Sequence, residues 1–220
     1  MEKELNRLYK NLWITKGCRF IASKRYTKHN HLANITITIA SVYILAMNLL
    51  ILIEDRLEIF SSDNINYFTI CASILVLALS LIVNSRNYQS LADKFHDCGR
   101  ELSEVYDSIC LLKTSTQKPS EEEIKIIHSR YHNIIRNYDI NQDQLDFNLF
   151  KARNINDFYS YLSISDNDEH KWMKILSNIK TFVFRQWFTI KTYAEYTIHQ
   201  YFIYSVIWAL PFFLLLVQST

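Results

Sequence analysis

His128 and His132 stand four residues apart, a spacing that puts two imidazoles on one face of a helix. Two such rings can begin a metal site. An HExxH pair would need a glutamate directly after the first histidine, and the residues between are Ser129, Arg130 and Tyr131. No third ligand is evident, so histidines on a helix surface are the simpler reading, and no metal is assigned. His96 with Cys98 has the composition of a Cys–His nucleophile, but no neighbour is placed to orient the base. Glu121, Glu122 and Glu123 suit the positive end of a helix dipole better than acid–base catalysis. Gly17 and Gly99 are the two glycines, and neither belongs to a GxGxxG or GxxxxGK loop that could cradle phosphate. GxSxG, SxxK and kinase-type runs are absent. No catalytic residue and no cofactor is assigned, and an enzyme is the least supported class.

A different kind of chemistry is written into two apolar runs. In the first, Asn34, Thr38, Ser41 and Asn48 recur at spacings of four, three and seven. In the second, Asn66, Thr69, Ser73, Ser80 and Asn84 recur at three, four, seven and four. On helices, each set forms one polar stripe. Polar groups have no partner in lipid, so the stripes should face protein or water. One use is glue between two helices, worth about 0.6 kcal/mol per hydrogen bond. The other is the wall of a water-filled pore, which two helices cannot enclose and which therefore requires several copies. No ionisable residue lies in either run, which argues against a proton relay or a voltage sensor.

The elements that must carry these stripes follow from hydropathy. The chain has 220 residues, 49% of them apolar, and a formal net charge of +2. With two glycines and two prolines, tight hairpins are scarce and helices are expected throughout. Leu32 to Ile53 and Ile65 to Val83 carry no charge, and each approaches the roughly 20 residues that cross a hydrocarbon core. Together they read as a membrane hairpin. The first is no signal peptide, because 31 mostly polar residues precede it and no small-residue cleavage site follows.

Eight bases precede the first span (Lys3, Arg7, Lys10, Lys16, Arg19, Lys24, Arg25 and Lys28), and Arg86, Lys94 and Arg100 follow the second. The connecting loop, Glu54 to Asn64, has one base, Arg56, among four acids. Counting bases at the span ends puts both ends of the hairpin in the cytoplasm. Cys18, Cys71, Cys98 and Cys110 contain no CxxC pair and are read as reduced.

Leu5, Leu8 and Leu12 mark a short amphipathic helix ahead of the basic juxtamembrane stretch. Beyond the second span the helix is expected to continue, with Leu91, Phe95, Cys98, Leu102, Val105, Ile109 and Leu112 forming an a/d seam. That seam serves either packing inside one chain or a coiled coil between subunits. After a polar linker at 113–118, Ser120 and Glu123 match a capping box, and Ile124, Ile127, Tyr131, Ile134, Ile135 and Tyr138 form the buried stripe of the helix they open. Asp139 to Glu169 is weakly periodic, suggesting short helices and loops. From His170 the chain turns aromatic, through Trp172, Phe182, Phe184, Trp187 and Phe188.

Tyr201 to Val217 is as hydrophobic as the spans but short, and Pro211 interrupts it. Tyr193, Tyr196, Tyr201, Tyr204 and Trp208 resemble an interfacial aromatic belt. A third span, a half-inserted segment and a helix buried in the cytosolic domain all remain open. Length and lack of charge favour membrane contact.

The run from Trp13 to Arg25, WITKGCRFIASKR, resembles the WxTxxxRxxAxxR signature of the SLATT family through Trp13, Thr15, Arg19, Ala22 and Arg25. The resemblance continues through the hairpin, the Ala92-to-Leu102 run ADKFHDCGREL, and Tyr131 to Tyr138. It departs after the tyrosine helix, where family members often carry Glu-Asn-His and this chain reads Tyr138-Asp139-Ile140-Asn141-Gln142-Asp143. SLATT proteins are two-transmembrane effectors associated with bacterial nucleotide-signalling and reverse-transcriptase conflict systems. The resemblance implies an antiphage effector that oligomerises and perforates or depolarises the inner membrane, triggered by a partner protein of such a system. With that prior, the stripes tip toward pore lining. A plainer use of Trp13, Arg19 and Arg25 is to anchor the helix at the headgroups.

The expected architecture is an all-α membrane protein. Residues 1–31 form the amphipathic and basic N-terminal segment, and 32–86 the two-span transmembrane hairpin. Residues 87–200 form the helical cytosolic domain, and 201–220 a possible third membrane-contacting segment. The expected partners are the lipid bilayer, further copies of the chain and a protein of the defence system. Direct nucleic-acid binding is not indicated. The alternative function is a membrane-anchored helical adaptor without pore activity.

Overall fold

A computed structural model describes residues 2–54, 62–115, 119–160, 184–202, 204–205 and 208–209. The hairpin loop at 55–61, the stretch 161–183 with Trp172 and Phe182, and the C-terminal end with Pro211 lie outside the described residues. Helices account for nearly all the described residues: α1 Glu2–Glu54, α2 Ser62–Arg86, α3 Tyr88–Thr114, α4 Glu121–Tyr138, α5 Gln144–Arg153 and α6 Ile155–Ser160, followed by α7 at 184–202. No strand occurs among the described residues.

The short N-terminal amphipathic helix is the opening of a much longer one. α1 runs unbroken for 53 residues, about 80 Å at 1.5 Å per residue. No proline interrupts it, and its single glycine, Gly17, keeps a helical backbone. The expected continuity of α2 into α3 is corrected. Asn87 adopts φ 45°, a left-handed conformation that asparagine tolerates better than most residues. Its amide donates to the Asn84 carbonyl, and its side-chain oxygen accepts from the Ser90 amide, which closes one helix and caps the next.

The contacts divide the chain into two compact units. One comprises Met1–Arg25 and Leu91–His199; the other comprises Tyr26–Ser90 and Gln200–Thr220. The N-terminal turns of α1 therefore belong with the later helices, several residues short of the expected boundary.

In the first unit, Leu5, Leu8 and Leu12 pack with Cys98, Leu102, Val105 and Ile109 of α3 and with Ile124, Ile127 and Ile134 of α4. The heptad seam is thus filled from within the chain: Phe95, Cys98, Leu102, Val105 and Ile109 are buried, and Leu112 packs at the edge. This corrects its use as an oligomer seam, because a buried a/d face leaves no knobs for a second copy. Ser120 caps α4 through the expected box: its Oγ accepts from the Glu123 amide while the Glu123 carboxylate accepts from the Ser120 amide.

A second cluster gathers Cys18, Ile21, Leu149 and Phe150, with Trp13, Phe147 and Phe158 against it. Gly17 is required there, since a Cβ would run into the Phe150 ring. Gly17→Ala gains helix propensity of about 1 kcal/mol, yet overpacking a buried ring costs about 1–3 kcal/mol. A net loss is expected in a denaturant titration, shrinking when the same change is made beside Phe150→Leu. Equal losses in both backgrounds would show that the ring is not the obstacle.

Candidate functional site

The five signature residues sit in the first unit, and the structure gives each an internal task. Trp13 packs edge-on against Phe150, ring centroids 4.8 Å apart, and lies 5.6 Å from Phe158. Thr15 donates to the Asn11 carbonyl at 2.8 Å and meets the Tyr131 hydroxyl at 3.3 Å. Ala22 is wholly buried. Arg25 is 4% exposed and grips Asp146 with two parallel bonds, Nε to Oδ1 at 2.9 Å and Nη2 to Oδ2 at 2.8 Å. Asp146 is itself completely buried and belongs to the capping box that Asp143 builds at the start of α5. Arg19 and Arg25 are buried and do not reach for headgroups, which corrects the anchoring reading for the two arginines; Trp13 is half-buried against the Phe150 cluster.

Arg19 is 2% exposed, with its carbon fork 5.4 Å from the Phe95 ring centroid. Its Nε and Nη1 are enclosed without a hydrogen-bond acceptor, and burial lowers its pKa. Burial likewise pushes the neighbouring Cys18 thiol up to about 12, with the Asp146 carboxylate adding to the effect and Arg19 opposing it. Cys98 is raised by burial as well. A protonated, enclosed thiol is no nucleophile. His96 instead sets its ring edge-on against Phe20. The Cys–His pair therefore has no catalytic geometry.

Tyr138 donates to Glu101 at 2.7 Å, and burial with that bond raises it to about 12. Tyr9 and Tyr106 stack with centroids 4.9 Å apart and share a 2.6 Å hydrogen bond, with Lys16 and Lys113 over their rings. These contacts fasten α1 to α3 and α4. They are structural.

The second unit carries the polar stripes. Only 11% of the most apolar stretch of α1 is buried, and 6% of that of the second membrane-length helix. Leu45 is 63% exposed and Ile74 64%, where the core helix of a soluble protein would bury both. Along the stripes, Thr38 donates to the Asn34 carbonyl at 2.8 Å, Ser41 to Ile37 at 2.8 Å and Ser73 to Thr69 at 2.7 Å. These hydroxyls bond within their own helix, the usual fourth-residue-back bond. Their donated hydrogens stay within one helix. Thr69 is buried, while Asn34, Asn48, Ser80 and Asn84 are exposed. The Asn66 side chain lies outside the described residues.

At one end of this unit, Tyr26 and His29 stack on Tyr88, and Asn30 donates to Gln89 at 3.3 Å. The C-terminal segment belongs to the same unit. Tyr204 donates to the His29 carbonyl at 3.3 Å, and Trp208 Nε1 donates to Thr36 Oγ1 at 3.0 Å. Gln200 is 1% exposed. The option of a segment buried in the other helical unit is thereby corrected for the described residues. Sequence reading missed Thr36 and Asp146. Thr36 lies on the helix face opposite the stripe, two residues from Asn34 and from Thr38, and the Asp143-x-x-Asp146 box was the available signal for α5.

Two exposed helices long and apolar enough to cross a membrane, in a chain that also carries a bundle of amphipathic helices, fit an all-α domain of the two-transmembrane class. The chain belongs to the SMODS and SLOG-associating 2TM effector domain family 5, whose sequence profile matches residues 1–217. That family makes it a membrane effector domain of nucleotide-signalling defence systems. No curated protein and no solved structure matches the chain.

Proposed function

We propose that this protein is a membrane-perforating effector. Several copies assemble in the bacterial inner membrane, both ends of the hairpin on the cytoplasmic side, when a protein of the associated nucleotide-signalling system triggers them. Opening depolarises the cell and arrests or kills it during infection.

The observation that carries this reading is the exposure of Asn34, Asn48 and Asn84 along otherwise apolar, exposed helix surfaces. A serine or threonine can satisfy its hydroxyl against its own helix; a carboxamide has two donors and an acceptor and needs water or another chain. Copies arranged with these edges inward would supply water on one side and leucine to lipid on the other. The charge-free spans suit a permeation path without a titratable gate.

The test is leakage of a trapped dye from liposomes holding the purified full-length chain. Release is expected to rise steeply with protein-to-lipid ratio, as an oligomer requires. Sealed vesicles in which cross-linking nevertheless captures oligomers would support the adaptor instead.

A further inference from the structure

The two histidines of α4 come together more closely than helix spacing demands. Their Nε2 atoms are 3.2 Å apart, with ring centroids at 4.4 Å. Both side chains are exposed and line a groove of about 760 Å³ between the first turns of α1 and α4, within the first unit. Among the described residues, no group of three or more metal-ligating side chains converges.

We propose that His128 and His132 form a chelating site for a divalent transition ion of the Zn²⁺ type. Zinc–imidazole bonds are about 2.0–2.1 Å long, and two such bonds to nitrogens 3.2 Å apart subtend about 100°, close to tetrahedral. The pair is already at the bite of a chelate. Imidazole is the ligand that suits zinc, nickel, copper and cobalt, whereas magnesium and calcium demand oxygen.

In the absence of metal the same distance fits an N–H···N bond between the two rings. Metal binding requires a lone pair on both Nε2 atoms, so the bridging proton leaves its Nε2 while that ring takes one up at Nδ1. Glu4 and Glu121 lie along the same groove and offset the ion's charge, while Arg7 and Lys125 oppose it. Lys125 and Glu121 are tied to each other at 2.7 Å, so their charges largely cancel at the site. With two protein ligands, the remaining positions stay open to water or to an oxyanion.

This site is independent of membrane perforation. The test uses the full-length protein in detergent, titrated with Co²⁺, and with Zn²⁺ against a chromophoric chelator. One equivalent is expected to bind, with visible cobalt bands of nitrogen–oxygen coordination and no thiolate charge-transfer band. Either H128A or H132A is expected to weaken binding at least about tenfold. The double substitution H132A/N133H keeps two imidazoles but spoils their spacing, and should weaken binding equally while leaving the far-ultraviolet helical signal intact. Affinity unchanged in H128A, or a thiolate band that reports cysteine ligation, would overturn the proposal. So would the absence of one-equivalent binding at micromolar metal.

Discussion

Asp146→Ala is expected to destabilise the unit formed by residues 1–25 and 91–199 by about 3–5 kcal/mol, the usual cost of stranding one member of a buried ion pair. The carboxylate has no exposed surface and takes both parallel bonds from Arg25, which is equally enclosed. Asp143 approaches the same guanidinium at 3.9 Å but is half in solvent, too distant and too hydrated to substitute. Arg25→Ala should cost a similar amount for the mirror-image reason. The paired change Arg25→Met with Asp146→Leu removes both charges and should recover much of the loss, because well-packed apolar residues often match a buried pair. Denaturant midpoints of the four proteins in one detergent measure this directly. Asp146→Ala within about 0.5 kcal/mol of the parent, the range of an ordinary surface change, would show that the pair contributes little.

The second large effect concerns permeation. Asn48→Leu combined with Ser80→Leu is expected to cut dye leakage at least tenfold while leaving the oligomer intact on cross-linking. Both positions are exposed in the isolated chain, so neither change removes a buried contact, and leucine is welcome in hydrocarbon. Apolar rings in a lumen expel water, and conduction stops at such constrictions. A control pair on the exposed face of α2 opposite its stripe, Leu75→Ala with Ile82→Ala, should leave leakage near the parent rate. Equal leakage from the stripe variant and the parent would remove these residues from the permeation path.

Much of the fold could be read from residue order because its signals are local. The charge-free runs, the Ser120–Glu123 box and the Ile124, Ile127 and Ile134 stripe each depend on neighbours within a few turns, and each appears in the structure. The seam of α3 was equally visible, but periodicity shows that a face is buried without showing what buries it. Leu5, Leu8 and Leu12 do so, about a hundred residues earlier in the chain. The pairing of Arg25 with Asp146 spans 121 positions, and nothing in either neighbourhood announces the other. Basic residues before a span also look like headgroup anchors, which is why the signature arginines were open to that reading. The Asn87 joint was hidden because asparagine is common inside polar helices, and its left-handed backbone appears only in three dimensions. The polar stripes were legible as stripes. Their hydroxyls bonding inward, helix by helix, was not.

Thr38, Ser41 and Ser73 already hold their hydroxyl hydrogens against backbone carbonyls one turn back. A solitary hairpin therefore rests in oil with few unmet demands, yet each oxygen keeps lone pairs that can greet moisture. The same surface is at ease in two solvents. Under the proposed function, such an effector is safe to stockpile: harmless while its copies are scattered, and needing no refolding of its rods when they convene.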